Sequence, residues 1–319
     1  MKILFISAVL PYPLLSGGQV RLYNLLKLLS KEHEITLYSF IRNESEKELV
    51  DNLSFVKIIK LYMRGRVWQT KYIFRSMTSS FPLLLSSYEN FEMKKDIKAD
   101  LKKNQYDLIH CEPFYVCPSI PDDVHVPLVV TEHNIEYEVY QSYVKQFLIP
   151  VVRPLLNLDV QKIKNQEEMV WKKADRIISV AARDALVIGN VVDRKKISVV
   201  PNGVDTTYFS YEKKSLNKEH LKFLFVGNFL WVPNVKAVER LVGELWPKIL
   251  KEIPQAQLTI VGKHLPQRLH EAARTVHILY KKFVEDIRDV YKTSDILLAP
   301  MTISGGTKFK ILEAMASGC

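Results

Sequence analysis

The distribution of apolar residues along the chain predicts strands that alternate with helices. Six short runs, rich in β-branched and aromatic residues, occur at 2–9, 33–40, 106–110, 127–133, 175–182 and 197–203. They are apolar throughout rather than alternating, which predicts strands buried on both faces of a parallel sheet. Apolar side chains at helical spacing fill residues 17–32, so the first strand, a glycine loop, a helix and the second strand form a βαβ unit.

A polar, Lys-rich segment at 204–220 interrupts this pattern and predicts a linker between domains. Beyond it, strands are predicted at 221–227, 256–262 and 295–300, and helices at 233–253, 285–293 and from 307 onward. The predicted fold class is α/β, with Rossmann-like doubly wound parallel-sheet domains at 1–205 and 206–319. The sequence stops directly after a helix, where such a sheet usually continues. We therefore expect the second domain to be incomplete and the chain to be truncated at its C-terminus.

Composition and charge narrow the class of protein. The 319 residues are 47% hydrophobic and 25% charged, which is globular, and the length suits two domains. The net charge of +10 favours an anionic partner, such as a phosphorylated small molecule, a nucleic acid or an acidic membrane. Three cysteines are too few for a disulfide framework, so a reducing cytoplasm is the predicted location. The apolar N-terminus resembles a secretion signal, but Pro11 and Pro13 shorten it and favour a buried first strand.

Basic and aromatic residues alternate in the segment at 61–88, which contains Arg64, Lys71, Arg75, Trp68 and Phe74. A basic, aromatic helix can contact a membrane surface or a nucleic acid. The alternative is a solvated basic helix that packs its aromatic side on the core. The sequence favours this second interpretation.

Two glycine loops follow predicted strands, one at Gly17 and Gly18 and the other at Gly305 and Gly306. Ligands bind beyond the carboxyl ends of parallel strands, where helix N-termini present free N–H groups to anions. Neither loop has the spacing of a P-loop or of a dinucleotide-binding fingerprint. Both are therefore candidate anion sites of unassigned specificity.

The second loop has further support from the residues that follow it. Thr307 would add a backbone donor and Lys308 a positive charge beside a phosphate. Glu313 lies six residues beyond Thr307, which is about 9 Å along a helix and suits the ribose of a nucleotide whose diphosphate occupies the loop. The alternative is a surface ion pair between Glu313 and Lys310. Spacing alone does not decide between these interpretations.

Several separated motifs together resemble the retaining nucleotide-sugar glycosyltransferases of family 4, whose GT-B fold has two Rossmann-like domains facing a cleft. The motifs are the glycine loop SGG at 16–18, TEHNIE at 131–136, VVPNGVDTTYF at 199–209 and GGTKFKILEAMASG at 305–318. The last resembles the C-terminal half of the Glu-x7-Glu signature of the family. The combination is far more specific than any single motif.

The resemblance implies roles for individual residues. His133 would face the donor sugar, and Glu313 would bind the donor ribose. Catalytic residues are expected to be His133 and Lys308, and donor-binding residues to be Glu313, Gly305, Gly306, Thr307, Gly17, Gly18, Lys310 and Asn228. No metal site is expected, because no Asp-x-Asp motif occurs.

The sequence also departs from the pattern of the family. Gly305 stands where the signature has its first Glu, and Asn228 and Asn234 stand where many members have an Arg and a Lys that hold the leaving phosphate. Another cation must supply that charge. Lys308 is the leading substitute, followed by Lys236, Lys310 and Arg21.

The resemblance implies transfer of a sugar from a nucleotide-sugar donor to a saccharide or lipid-linked glycan of a cell-surface polysaccharide, with retention and without metal or another cofactor. The first domain would bind the acceptor and the second the donor. Nucleic acid is not an expected partner, whereas an acidic membrane surface is, which would make the cytoplasmic protein peripheral to the membrane. The alternatives are a nucleotide-sugar epimerase of the same fold and a non-catalytic protein that binds nucleotide sugars or serves as a scaffold.

Overall fold

The computed structural model describes residues 1–145, 150–214, 219–276, 278–301 and 308–319. The chain divides into two compact units, Met1–Pro201 and Asn202–Cys319, which we call unit 1 and unit 2. The predicted boundary between residues 205 and 206 lies just beyond this division.

Unit 1 contains a seven-stranded sheet in the order β3-β2-β1-β4-β5-β6-β7, and each neighbouring pair is parallel. As predicted, β1 and β2 are buried along almost their whole length. The strands are β1 (Lys2–Ser7), β2 (Glu34–Ile41), β3 (Ile58–Met63), β4 (Leu108–Glu112), β5 (Leu128–Glu132), β6 (Arg176–Ser179) and β7 (Ile197–Val199).

Helices connect these strands. The helices of unit 1 are α1 (Gly17–Leu29), α2 (Thr70–Thr78), α3 (Leu83–Ser86), α4 (Phe91–Lys103), α5 (Glu136–Lys145), α6 (Arg153–Lys173) and α7 (Ala182–Ile188), with 3₁₀ turns at Glu44–Leu53, Phe114–Ser119, Pro150–Val152 and Arg194–Lys196. In α1, Leu22 and Leu26 are buried against β1 and β2, but Leu28 of the predicted apolar stripe is exposed.

Unit 2 contains a four-stranded parallel sheet in the order β10-β9-β8-β11. Its strands are β8 (Lys222–Val226), β9 (Gln257–Val261), β10 (Leu279–Lys281) and β11 (Ile296–Leu297). Its helices are α8 (Val232–Arg240), which continues through a π turn at Leu241–Leu245 into α9 (Trp246–Glu252), and α10 (Gln267–Thr275), α11 (Ile287–Thr293) and α12 (Phe309–Ala316). Pro233 occupies the first turn of α8, as predicted.

The segment at 61–88 differs from its favoured interpretation. Its first residues complete β3, a strand that the hydrophobic pattern did not predict, and β10 was not predicted either. Phe81 packs against the core, but Trp68 and Phe74 are 74% and 70% exposed. The aromatic side of this segment is therefore not wholly buried. None of the described helices is long and apolar enough to cross a membrane.

Strand order identifies where each unit would bind a ligand. In unit 1 the connections change direction between β1 and β4, and in unit 2 they change direction between β8 and β11. Open parallel sheets bind ligands at such a switch point, beyond the carboxyl ends of the strands. The candidate sites are therefore at the ends of β1 and β4 and at the ends of β8 and β11.

Candidate functional site

A buried carboxylate occupies the switch point of unit 1. Glu112 ends β4 and is only 2% exposed. Its Oε1 lies 3.0 Å from Nε2 of His133 and 3.8 Å from Nε of Arg21, and its Oε2 lies 3.7 Å from Nε2 of His110. We call Arg21, His110, Glu112 and His133 the β4 cluster.

The cluster keeps Glu112 ionised. Burial alone raises the pKa of Glu112, but His133, His110 and Arg21 outweigh it and hold this pKa below its ordinary value. Burial lowers the pKa of Arg21, which Glu112 partly opposes. Arg21 also donates from Nη1 to the carbonyl oxygen of Pro201 at 3.2 Å. An anionic Glu112 is an acceptor, and Nε2 of His133 is the nearest of the cluster nitrogens to it.

His110 is the neutral member of the cluster. Burial lowers its pKa to about 4, and its ring stacks on Phe5 with centroids 4.3 Å apart. Its Nε2 lies 2.8 Å from Oγ1 of Thr131. His110 is therefore part of the frame of the cluster, whereas His133 is partly exposed.

The first glycine loop lies beside His133. Gly17 begins α1, whose N-terminus is capped by Ser16. A Cβ atom at Gly18 would lie 3.9 Å from Nε2 of His133, so the glycine backbone runs beside this imidazole. The loop and the histidine therefore share one edge of unit 1.

A second carboxyl group follows His133 closely in sequence. Glu136 begins α5, and burial raises its pKa to about 7, which His133 and a hydrogen bond with Asn134 partly oppose. A group with such a pKa can accept or release a proton near neutral pH. The motif TEHNIE contained this residue, but its spacing alone gave no sign of the shifted pKa.

The switch point of unit 2 is built around two asparagines. Asn234 donates from Nδ2 to the carbonyl oxygen of Asn228 at 2.8 Å. A Cβ at Gly227 would lie 2.9 Å from Cγ of Asn234, and a Cβ at Gly262, where φ is +150°, would lie 1.7 Å from the carbonyl oxygen of Gly227. Gly227 therefore lets the end of β8 approach Asn234 closely, and Gly262 lets the end of β9 approach the backbone of Gly227.

Lys310 places its charge at these asparagines. Its Nζ donates to Oδ1 of Asn234 at 3.0 Å and lies 4.5 Å from the centroid of the Phe225 ring. Burial, and then repulsion by Lys308, lowers the pKa of Lys310 to about 8, a change that Glu313 opposes. The charge of Lys310, which lies on α12, is therefore next to Asn234. Asn234 is one of the two asparagines that stand where the family pattern has a cation.

Lys308 immediately precedes α12, and its Nζ lies 5.0 Å from the centroid of the Trp231 ring. The other proposed substitutes have anionic partners. Lys236 pairs with Glu239 at 2.8 Å, and Arg21 belongs to the β4 cluster. Gly305, Gly306 and Thr307 lie outside the described residues.

Glu313 is half-buried on α12 and accepts a hydrogen bond from the hydroxyl of Tyr291, 2.8 Å from Oε2. Burial raises the pKa of Glu313, which Tyr291 and Lys310 partly oppose. Lys310 donates to Asn234 rather than closing the surface ion pair that the spacing allowed. We call Asn234, Tyr291, Lys310 and Glu313 the α12 cluster.

Three residues of these clusters were not predicted from the sequence: His110, Glu112 and Tyr291. Glu112 follows the apolar run at 106–110 and could have been noticed, because a carboxylate that ends a buried strand needs a partner. Tyr291 gave no signal, because its hydroxyl reaches Glu313 across 22 positions of sequence. Among the described residues, no group of three or more His, Cys, Asp or Glu side chains is arranged to hold a metal ion.

Comparison with known proteins agrees with the fold and with the motifs. The model of Glycosyltransferase Family 4 matches residues 15–208, and that of Glycosyl transferases group 1 matches residues 220–319. The first match covers more than half of the chain. The protein therefore belongs to glycosyltransferase family 4, as the sequence motifs predicted.

Two individual relatives are similar to this chain at low sequence identity. The chain is 22% identical to an uncharacterized 44.6 kDa protein in the cps region of Klebsiella pneumoniae, over 98% of this chain and 80% of the relative. It is 31% identical to the UDP-Gal:alpha-D-GlcNAc-diphosphoundecaprenol alpha-1,3-galactosyltransferase of Escherichia coli, over 40% of this chain and 36% of that enzyme.

A solved structure shows the fold. The crystal structure of Anabaena Alr3699/HepE in complex with UDP matches with a TM-score of 0.61 at 15% identity, over 99% of this chain and 78% of that chain. The predicted GT-B fold class, with two parallel α/β domains, is confirmed.

Proposed function

We propose that this glycosyltransferase moves a sugar from a nucleotide-sugar donor to a saccharide or lipid-linked glycan of a cell-surface polysaccharide, with retention and without metal or another cofactor. The relatives support the choice of acceptor, because one belongs to a cps region and the other is named for a lipid-linked diphosphate sugar. The α12 cluster is the observation that carries the donor assignment. Unit 2 would bind the donor and unit 1 the acceptor.

The polar groups of the α12 cluster suit a nucleoside diphosphate. Lys310 and Glu313 are bound to neutral partners, the side chains of Asn234 and Tyr291. Among the residues that the structure describes, neither charge therefore has a close ion-pair partner. A diphosphate would compensate Lys310, with Lys308 beside it, while Glu313 would accept hydrogen bonds from the two ribose hydroxyls.

The reaction requires positive potential where the leaving group develops charge. The bond between the anomeric carbon and the diphosphate oxygen breaks, and a bond forms from that carbon to the acceptor oxygen. The acceptor proton leaves with the diphosphate. Lys310 and Lys308 would stabilise this leaving group, in place of the cations that Asn228 and Asn234 replace.

His133 is proposed to contact the donor sugar. Glu112 would act as a positioning residue, because its anionic carboxylate lies 3.0 Å from Nε2 of His133 and would fix the orientation of the imidazole. Gly17 and Gly18 would leave room for the ligand beside this ring. The proposed location is the cytoplasm, with contact to an acidic membrane where a lipid-linked acceptor resides.

Calorimetry with the full chain tests the donor site. We expect UDP or ADP, and one of their sugar conjugates, to bind, and Glu313→Ala to raise the dissociation constant about tenfold or more, because two hydrogen bonds to a charged group are lost. The matched control is Glu252→Ala, which removes an exposed carboxylate of α9 in the same unit. Equal affinities of the two variants, or no nucleotide binding, would contradict the proposal.

A product assay separates the alternatives. With donor and a diphosphate-linked saccharide, transfer should release nucleoside diphosphate and retain the anomeric configuration. Interconversion of donors without acceptor would instead identify an epimerase, and donor binding without any product would identify a binding protein.

A further inference from the structure

A cavity of about 580 Å³ opens at the carboxyl end of β3 in unit 1, and we call it the β3 pocket. Its walls come from the loop after β3, from the start of α2 and from residues 87–92, which lead into α4. The members of the β4 cluster are not among the residues that line it. The donor site proposed above assigns no role to this cavity.

Two cations line the β3 pocket. Arg64 lies over the Tyr88 ring, 4.7 Å from its centroid, and donates one hydrogen bond to the Tyr88 oxygen. A guanidinium has five N–H donors in a planar fork, so this contact orients Arg64 and leaves donors for an anionic ligand. Lys71 is exposed, with Nζ 4.7 Å from the centroid of the Tyr72 ring. Both cations are therefore held beside aromatic rings.

A close backbone contact shapes one wall of the pocket. A Cβ at Gly65 would lie 2.1 Å from the Tyr72 hydroxyl oxygen, so the glycine leaves room for this phenol against the chain after β3. Gly65 and Tyr72 both line the pocket. The backbone of Gly65 and the phenol of Tyr72 therefore pack closely in this wall.

The N-terminus of α2 adds to the positive potential. No side chain caps this helix, and its first turn contains no acidic residue. The free amides and the helix dipole favour an anion at this end. Together with Arg64 and Lys71, they make the pocket suitable for a phosphate.

The pocket also contains groups that suit sugar hydroxyls. Glu89 and Glu92 line it, together with the amide side chains of Gln69 and Asn90. Glu89 is paired with Arg75, so of the two carboxylates only Glu92 opposes the charge of Arg64 and Lys71. Carboxylates and amides beside a phosphate site match a phosphorylated sugar better than phosphate alone.

Large aromatic side chains are exposed around the pocket. Phe91 lines it and is 84% exposed, Trp68 lies between the lining residues Gly65 and Gln69, and Phe74 follows Lys71 by one helical turn on α2. Single exposed aromatic residues are common, but one in the lining and two within two positions of lining residues match a ligand with a charged head and an apolar tail.

We propose that the β3 pocket binds the head group of the acceptor, a sugar phosphate or diphosphate attached to a long apolar chain, with that chain against Trp68, Phe74 and Phe91. This inference rests on the proposed function, because it specifies the acceptor of that reaction. β3 lies three strand spacings from β4, about 14 Å at the usual separation. An acceptor anchored in the pocket would thus extend along the same edge towards His133.

Binding to the full chain without donor tests this inference. The probes are N-acetylglucosamine 1-phosphate and N-acetylglucosamine diphosphate linked to an undecyl chain. We expect the undecyl compound to bind more tightly than N-acetylglucosamine 1-phosphate. Lys71→Ala should weaken the binding of both probes about tenfold, because a hydrogen bond from a charged group is lost. Trp68→Ser should weaken only the undecyl compound.

The control variant is Lys103→Ala, which removes an exposed lysine at the opposite end of α4. It should bind both probes as the original chain does. Equal affinities of Lys71→Ala and Lys103→Ala would overturn the inference.

Vesicles of phosphatidylglycerol without sugar phosphate distinguish a second source of phosphate. Binding to them that depends on Lys71 as strongly as binding of the sugar phosphates would show a general membrane contact and overturn the inference. Failure of UDP or ADP binding, with Lys71-dependent binding of the probes intact, would refute the donor assignment and leave the pocket assignment standing.

Discussion

The β4 cluster and the α12 cluster occupy equivalent switch points of two parallel sheets, but they treat charge differently. In unit 1, the anionic Glu112 is buried among Arg21, His110 and His133. In unit 2, Lys310 and Glu313 are bound to the neutral side chains of Asn234 and Tyr291. In the β4 cluster the charge of Glu112 is compensated by neighbouring residues, whereas the α12 cluster has charges that a ligand can compensate.

This difference suggests different tasks. A buried ion pair costs desolvation of both partners and is strongly destabilising when one partner is removed, so the β4 cluster should affect stability and the orientation of His133. The α12 cluster contains a cation whose pKa is lowered by burial, which a bound diphosphate would raise again. We expect substitutions in the first cluster to change unfolding and substitutions in the second to change binding.

The largest expected effect is that of Glu112→Gln. It leaves the guanidinium of Arg21 buried without its counter-charge, which should lower the free energy of unfolding of unit 1 by about 3 to 5 kcal/mol. Hydrogen exchange of β4 and β5 peptides in urea measures unit 1 separately. The control Glu44→Gln, which breaks an exposed pair with Lys47, should change little. A loss in the control as large as that in Glu112→Gln would remove the distinction between buried and exposed charge.

The pH dependence of stability tests His110. Its pKa is about 4 in the folded chain and ordinarily about 6.5, so the unfolded chain gains this proton first as the pH falls. The free energy of unfolding of unit 1 should therefore decrease by about 3 kcal/mol between pH 6.5 and pH 4. Buried Glu132 and Glu167, whose pKa values burial raises, act in the opposite sense. The comparison with His110→Gln isolates the histidine. The variant should show a smaller loss over this range, and an unchanged pH profile would contradict a neutral, buried His110.

Donor affinity should depend on the charge of Lys310. Its pKa of about 8 means that it is mainly charged at pH 7 and mainly neutral at pH 9, so UDP should bind about tenfold more weakly at pH 9. Titration calorimetry at both values measures the change. The Lys310→Arg variant, whose guanidinium stays charged, should bind UDP with the same affinity at pH 7 and at pH 9. A tenfold loss in this variant as well would assign the pH dependence to the nucleotide instead.

The smallest expected effect is that of Tyr291→Phe. When Tyr291 lacks its hydroxyl, Glu313 loses the hydrogen bond that orients it. UDP should then bind about fivefold more weakly, a loss of about 1 kcal/mol in binding free energy. Tyr208→Phe is the control, because Tyr208 is exposed. If both variants bind UDP as the original chain does, Glu313 does not need Tyr291 for binding.

Much of the fold followed from local patterns. The predicted strands at the starts of both units are present, and Pro233 lies in the first turn of its helix. β3 and β10 were missed because they are only partly buried, so their apolar pattern is weak. Of the candidate residues, Gly18 and His133 lie close together, because parallel strands bring their carboxyl ends to one edge of the sheet.

The sequence by itself determined the two α/β domains, the family and the identity of the charged residues, because hydrophobic periodicity and glycine loops act over a few neighbouring positions. Only the tertiary structure decided the partners of those charges: Glu112 with His133 and Arg21, Lys310 with Asn234, and Tyr291 with Glu313. These contacts join residues from 21 to 91 positions apart. Burial and hydrogen bonding across such separations depend on how strands and helices pack, which no short motif records.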